Sequence, residues 1–199
     1  YVSNWGGNSI SVIDIANRTE LKRIKVGKNP EGLALATGEA DLIVANSDTD
    51  DITIIDTATQ EAINTLPLTD EMEGLVGWAP NAVAVNPNAS RAYVVAADQN
   101  AAEVIDTENW EVIGAIPTAK YPTRVTVSTD GEKMYVLNSK GWSIFKGNVN
   151  SCVAGTLQIL DLPADETELA DLSALVENNL KRPLGFYPDS DCEDRVPLP

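Results

Sequence analysis

Two fixed spacings and one alternation in this 199-residue sequence predict an all-β fold, a β-propeller built from four-stranded blades. From a proline to the next Tyr or Ile the interval is thirteen residues three times over: 30 to 43, 80 to 93 and 122 to 135. From the ends of Tyr1-Val2-Ser3-Asn4, Ile43-Val44-Ala45-Asn46 and Tyr93-Val94-Val95-Ala96, ten residues lead to Asp14, Asp56 and Asp106. Between these markers lie short runs of apolar and β-branched residues bounded by turn formers, which is the pattern of strands.

Each unit reads as four strands. Strand one is a Pro-x-x-Φ-x-Φ alternation, with Φ apolar, as in Pro30-Glu31-Gly32-Leu33-Ala34-Leu35, Pro80-Asn81-Ala82-Val83-Ala84-Val85 and Pro122-Thr123-Arg124-Val125-Thr126-Val127. Strand two is the Tyr-Val-x-Asn tract. Strand three ends on the Asp, after Ile10-Ser11-Val12-Ile13, Ile52-Thr53-Ile54-Ile55 or Val104-Ile105. Strand four spans Leu21–Val26, Ala62–Leu68 or Glu111–Pro117. In the last unit, Tyr135-Val136-Leu137-Asn138 reaches Asp161 after twenty-three residues, by way of Leu157-Gln158-Ile159-Leu160. The four aspartates, Asp14, Asp56, Asp106 and Asp161, are expected to accept backbone N–H bonds in the following turn rather than to act as acids or ligands. The third unit departs from the pattern, with Ala96 in the Asn position. Its Asn100-Ala101-Ala102-Glu103 entry predicts an irregular third strand.

The C-terminal stretch changes period. Asp165 and Glu168 stand at N-cap and N3 of a capping box, and Leu169, Leu172, Leu175, Val176 and Leu180 recur at helical spacing. The expected organisation is therefore propeller blades over 1–162 and an amphipathic helix over 163–182, packed on the propeller or leaving it. A Pro- and Asp-rich extended tail or linker over 183–199 completes it. Fourteen strands make about four blades or part-blades: strands two to four of the first, two complete units, and strands one to three of the last. Open sheet edges invite aggregation, so the ring must close. The first reading is that these residues are the C-terminal portion of a larger ring; a dimer completing an eight-blade ring and a self-closed four-blade ring are the others.

The repeat resembles the YVTN family of propellers, found in surface-layer and other exported proteins of bacteria and archaea. The resemblance rests on Tyr1-Val2-Ser3-Asn4, Ser11-Val12-Ile13-Asp14, Ile54-Ile55-Asp56-Thr57-Ala58-Thr59 and Val26-Gly27-x-x-Pro30-x-Gly32, and covers about residues 1–162. It implies an extracytoplasmic protein (periplasmic, secreted or on the cell surface) and further blades N-terminal to Tyr1. Gly155–Pro163 followed by Leu169–Asn179 also looks like the propeller portion of bacterial propeller–phosphoesterase fusions. Those imply metal-dependent phosphate-ester hydrolysis in a second domain, beyond this chain.

In a propeller the two–three and four–one loops share one face, and both length changes fall there. One is around Thr69–Ala79, the other within Ser139–Ala154. Long loops on a rigid scaffold are where binding resides, and Trp5, Trp78 and Trp142 lie near them. Lys120 and Arg124 beside Tyr121 offer contacts to an anionic group. The alternative is that the loops only cover the central hole or touch a neighbouring domain. Trp110, on the opposite face, is read as packing.

Composition sets the remaining limits. Fourteen basic against thirty acidic residues give a net charge of −16, which disfavours nucleic acid. No apolar stretch is long enough to insert in a membrane. Histidine is absent, which excludes Ser-His-Asp and Cys-His catalysis and His-ligated zinc within these residues. Asp48, Asp50 and Asp51 share one loop, and Asp189, Asp191, Glu193 and Asp194 cluster near the C-terminus. These are read as solvated acidic loops, with calcium as the alternative and no other cofactor. Cys152 and Cys192 are either a disulfide or two buried thiols. Asn17-Arg18-Thr19 and Asn88-Ala89-Ser90 are glycosylation sequons in turns. No catalytic constellation emerges. The expected function is an exported scaffold binding a protein, glycan or surface partner through the long-loop face, beside further blades or a second copy. The alternative is the propeller part of a phosphoesterase.

Overall fold

The computed structural model describes residues 1–68, 77–139 and 155–180. Among them are fourteen strands in four antiparallel sheets, followed by one α-helix. The first sheet is β1 (Val2–Asn4), β2 (Ser9–Asp14) and β3 (Thr19–Lys25). The second is β4 (Pro30–Ala36), β5 (Asp41–Asn46), β6 (Asp51–Asp56) and β7 (Glu61–Pro67). The third is β8 (Pro80–Val85), β9 (Arg91–Ala96), β10 (Ala101–Asp106) and β11 (Glu111–Pro117). The fourth is β12 (Pro122–Val127), β13 (Lys133–Asn138) and β14 (Thr156–Asp161), and α1 follows at Glu166–Leu180. Each sheet is a meander in sequence order, so each is one blade or part-blade of a propeller.

Blades stack because both faces of each central sheet are apolar. Successive side chains alternate between faces. From the second blade, Ile43, Ala45, Ile52 and Ile54 therefore pack against Val83, Ala92, Val94 and Ile105 of the third. From its other face, Leu42, Val44 and Ile55 meet Ile10, Val12, Ile24 and Val26 of the first. Tyr93, Val95, Ala102 and Val104 of the third then meet Met134 and Val136 of the fourth. Each fully buried aliphatic side chain in these layers contributes about 1.5–3 kcal/mol.

The innermost strands β4, β8 and β12 lie against one another in order. Gly32 permits the approach of the first two: a Cβ there would stand 2.6 Å from the Ala82 Cα. Each of these strands carries a β-bulge just after its proline, between Pro30 and Leu33, Pro80 and Ala82, and Pro122 and Arg124.

Three of the four aspartates close turns as expected. Asp14 Oδ1 accepts the Asn17 N–H at 3.1 Å, Asp56 Oδ1 the Thr59 N–H at 2.7 Å, and Asp106 Oδ1 the Glu108 N–H at 2.7 Å. Asp161 does not. No fourth strand follows it among the described residues, and its carboxylate instead pairs with Lys133 at 2.5 Å. The turn role passes to Asp165, whose Oδ1 accepts the Thr167 and Glu168 N–H groups at 2.9 Å, while Glu168 reaches back to the Ala164 N–H.

The expected irregularity of the third unit is also corrected. β10 pairs with β9 without a break, from Ala101 opposite Ala96 to Asp106 opposite Arg91. The first and second blades brace this position with a side-chain hydrogen bond, Asn4 Nδ2 to Ser11 Oγ at 2.8 Å and Asn46 Nδ2 to Thr53 Oγ1 at 2.9 Å. In the third blade Ala96 stands in the Asn position and Glu103 in that of Ser11 and Thr53, both buried.

Helix α1 lies on β11, the outer strand of the third blade. Leu169 enters the core between the third and fourth blades and Val176 packs against Ala101 and Ala115. Ser173 Oγ accepts the Ala115 N–H at 2.9 Å. The close approach needs Gly114, where a Cβ would meet Ser173 Oγ at 2.7 Å and Leu169 Cγ at 2.8 Å.

Candidate functional site

The two–three and four–one loops form one face and are laced together. Backbone bonds run from Val26 N to Asn8 O, Leu68 N to Asp50 O and Thr118 N to Asn100 O, at 3.1, 3.0 and 2.8 Å. Asn8, Asp50 and Asn100 each close a two–three loop in the left-handed region, with φ of +50°, +53° and +56°, a conformation that Asn and Asp adopt more readily than most residues. Their side chains then accept the N–H of the residue before the next blade's proline. Asn8 Oδ1 takes that of Asn29 at 3.2 Å, Asp50 Oδ1 that of Ala79 at 2.9 Å, and Asn100 Oδ1 that of Tyr121 at 2.8 Å. The result is a latch from each blade to the next, repeated three times.

The first residues of the inner strands line an open cleft of about 460 Å³. Its wall combines Glu31, Asn81 and Arg124 with the apolar Leu33, Val83 and Val125, and Ser3 and Trp5 stand at its edge. The bulges place Glu31 and Asn81, since the extra residue after each proline turns a side chain out of the ladder, whereas Arg124 stays in register opposite Leu137. Trp5 sits in a 3-10 turn at Trp5–Gly7 and is 58 % exposed. Asn81 is nearly buried and its Nδ2 donates to Pro122 O at 3.4 Å. Ser3 Oγ donates to Glu31 O at 3.2 Å, and Arg124 Nη1 to Thr123 O at 2.6 Å. Arg124, Glu31, Asn81 and Trp5 thus line one cleft.

Trp5 and Arg124 are brought together at this cavity. Tyr121 belongs to the neighbouring latch, its carbonyl accepting the Ser139 N–H at 2.9 Å, and Lys120 is exposed beside it. Trp78 is on the same face but half-buried against the core of the second and third blades, and its N–H donates to Asp50 Oδ1 at 2.7 Å. Trp142, Cys152, Cys192 and the acidic residues 189–194 lie outside the described residues. Trp110 packs on the core of the second and third blades from the opposite side.

The three loop carboxylates do not point at a common centre. Asp48 accepts from Asn29 Nδ2, Asp50 closes the latch, and Asp51 accepts from Asn46 Nδ2 at 2.6 Å. Burial holds the Asp51 carboxyl above its ordinary range. Among the described residues no group of three or more Cys, Asp or Glu side chains is disposed to hold a metal ion. A larger cleft of about 980 Å³ opens on the opposite face, between the turns of the third blade and the start of α1. Its one cation, Arg91, stands opposite Asp106 in the strand register, and its other charges are acidic.

Sequence reasoning missed Glu31, Asn81 and Ser3 as cavity residues and Asn8 and Asn100 as latches. The signal was present. Glu31 and Asn81 each directly follow a blade's proline, and Asn8, Asp50 and Asn100 each immediately precede a third strand.

The sequence model of the YNCE-like β-propeller family matches residues 1–72. A search of the curated proteins finds no match. Among solved structures, Kuenenia stuttgartiensis hydrazine synthase superposes with a TM-score of 0.66 at 24 % identity, over 80 % of this chain and 41 % of that chain. This chain therefore spans less than half the length of that neighbour, and the likeness is one of fold. The family match over residues 1–72 and the shared fold together support a β-propeller. Neither bears on the phosphoesterase fusion expected from the tail.

Proposed function

We propose that these blades are a binding scaffold of an extracytoplasmic propeller, which holds a protein or surface-glycan partner at the loop face and does no chemistry within residues 1–180. The observation that carries the reading is the cleft that an exposed Trp5 lines together with Arg124 and Glu31. Trp and Arg are the residue types that dominate binding energy at interfaces. Arg124 stands on strand β12 and Trp5 in a short loop closed by the Asn8 latch, which lowers the ordering cost of binding. The net charge of −16 argues against nucleic acid as the partner.

Retention of the intact polypeptide on the envelope fraction of the cells that make it tests the reading. The Trp5→Ala/Arg124→Ala variant is expected to lose about tenfold in retention. Glu108→Ala, on the opposite face, is expected to lose none. Equal retention by all three proteins contradicts the loop-face assignment.

A further inference from the structure

The cleft of about 980 Å³ on the face opposite the loops is built from three elements. Asp41 comes from the second blade, Trp110 and Ile113 from the third, and Glu166 and Leu169 from the start of α1. Its size is that of a small-molecule site, for which about 300–1,000 Å³ is the usual range. Its surface is of two kinds. Trp110, half-buried on the core of the second and third blades, and Ile113, 40 % exposed, form an apolar part. The charged part is almost all of one sign. Arg91 stands opposite Asp106 in the strand register, and the remaining charges, Asp41 and Glu166 among them, are carboxylates.

Asp41 holds a position that the repeat otherwise gives to a cation. Opposite the aspartate that ends strand three, the third blade has Arg91 and the fourth has Lys133, which pairs with Asp161 at 2.5 Å. In the second blade Asp41 instead faces Asp56. Among the described residues the Asp41 carboxylate accepts no hydrogen bond and forms no ion pair. The second blade thus lacks, at the cleft, the positive charge that the third and fourth carry within their own sheets. No group of three or more Cys, Asp or Glu side chains among the described residues is disposed to hold a metal ion, and the Trp110 indole and Ile113 call for an apolar body beside the charge. We propose that this cleft binds a small organic amine, an alkyl- or arylammonium ion, whose ammonium group pairs with Asp41 and whose apolar body lies against Trp110 and Ile113. A carboxylate–ammonium hydrogen bond is of the strong, charge-assisted kind, and an indole face attracts a cation. Glu166 keeps the local potential negative. A ligand of this size leaves the loop face free for its own partner, so the inference is independent of what the loop face binds.

Equilibrium dialysis of the intact polypeptide against radiolabelled phenethylamine tests the assignment. The competitors are unlabelled phenethylamine, its uncharged counterpart 2-phenylethanol and its anionic counterpart 3-phenylpropionate. One saturable site is expected, from which the amine displaces the label at least about tenfold more effectively than either counterpart. Asp41→Asn, which keeps the shape and removes the charge, is expected to weaken binding about tenfold. Glu132→Gln removes the same charge from an exposed position just before β13, outside the cleft, and is expected to leave binding unchanged. Asp41→Arg puts into the cleft the cation that the third and fourth blades carry, and is expected to abolish binding without lowering the melting temperature, which separates a lost site from a lost fold. Absence of saturable binding overturns the proposal. So does equal weakening by Glu132→Gln, equal displacement by the uncharged or anionic counterpart, or undiminished binding by Asp41→Asn.

Discussion

Asp41 and Asp56 face each other across β5 and β6. The same register holds Arg91 opposite Asp106 in the third blade and Lys133 opposite Asp161 in the fourth. Like charges in a directly opposed cross-strand pair are destabilising. Burial, and then the Asp56 charge, push the Asp41 carboxyl above its ordinary range. Asp41→Arg restores the pairing of the other blades and is expected to stabilise by about 0.5–1 kcal/mol in urea denaturation. Asp50 is a different case. Its place in a cluster of aspartates suggests a cation ligand, whereas its oxygen accepts two loop N–H groups, from Trp78 and Ala79. Asn8 and Asn100 do the same work with an amide oxygen. Asp50→Asn should therefore keep nearly full stability, while Asp50→Ala should lose about 1–2 kcal/mol in the same assay, as loss of a cap does. Equal losses from both substitutions would point to the charge, not the acceptor, as the functional part.

At the scale of elements, α1 has one stringent contact, its approach to β11 over Gly114. Gly114→Ala places a methyl at 2.7 Å from Ser173 Oγ and 2.8 Å from Leu169 Cγ. The helix must shift, at a cost of about 1–3 kcal/mol. Hydrogen exchange should show α1 losing protection while β8–β10 keep theirs; uniform loss would mean that the helix and blade unfold as one unit. The strands and this helix were legible in sequence because each has a local signature. Proline opens every first strand, Asp closes every third, and Asp165 with Glu168 marks the helix start. Two features were not legible. Ala96 and Glu103 looked like a weakened blade, because the pairing of β9 with β10 lies across two strands and local pattern cannot show it. Asp161 looked like its three counterparts, but its role depends on the strand after it, and a helix comes there instead. The site was half legible. Trp5 and Arg124 stood out by residue type. Glu31 and Asn81 owe their positions to β-bulges, which the sequence does not mark except by their neighbouring prolines.

For the molecule as a whole, charge and turn chemistry together set the response to pH. Asp14 is held below its ordinary 3.8 by the Asn17 side chain and N–H, Asp56 by the Thr59 N–H, and Asp106 by the Glu108 N–H. Their contribution is complete above the open-chain value and vanishes as pH falls through the lower folded values. Asp41 and Asp51 are held above 3.8. They oppose folding while ionised, and that opposition is relieved as pH falls through their raised values. Self-repulsion from sixteen net negative charges relaxes in the same direction, toward a pI near 4.2. The melting temperature is therefore expected to rise from pH 7 to about pH 5 and to fall below about pH 4. A monotonic fall from pH 7 would contradict this balance. The central claim, that the latched loop face is the working surface, is tested most directly by photo-cross-linking in the cells that make the protein. A photoreactive side chain is placed at Trp5 in one variant and at Glu108 in another. A discrete adduct from Trp5 and none from Glu108 is the predicted result. Adducts from Glu108 alone, or none from Trp5 in a folded and abundant protein, would contradict the account.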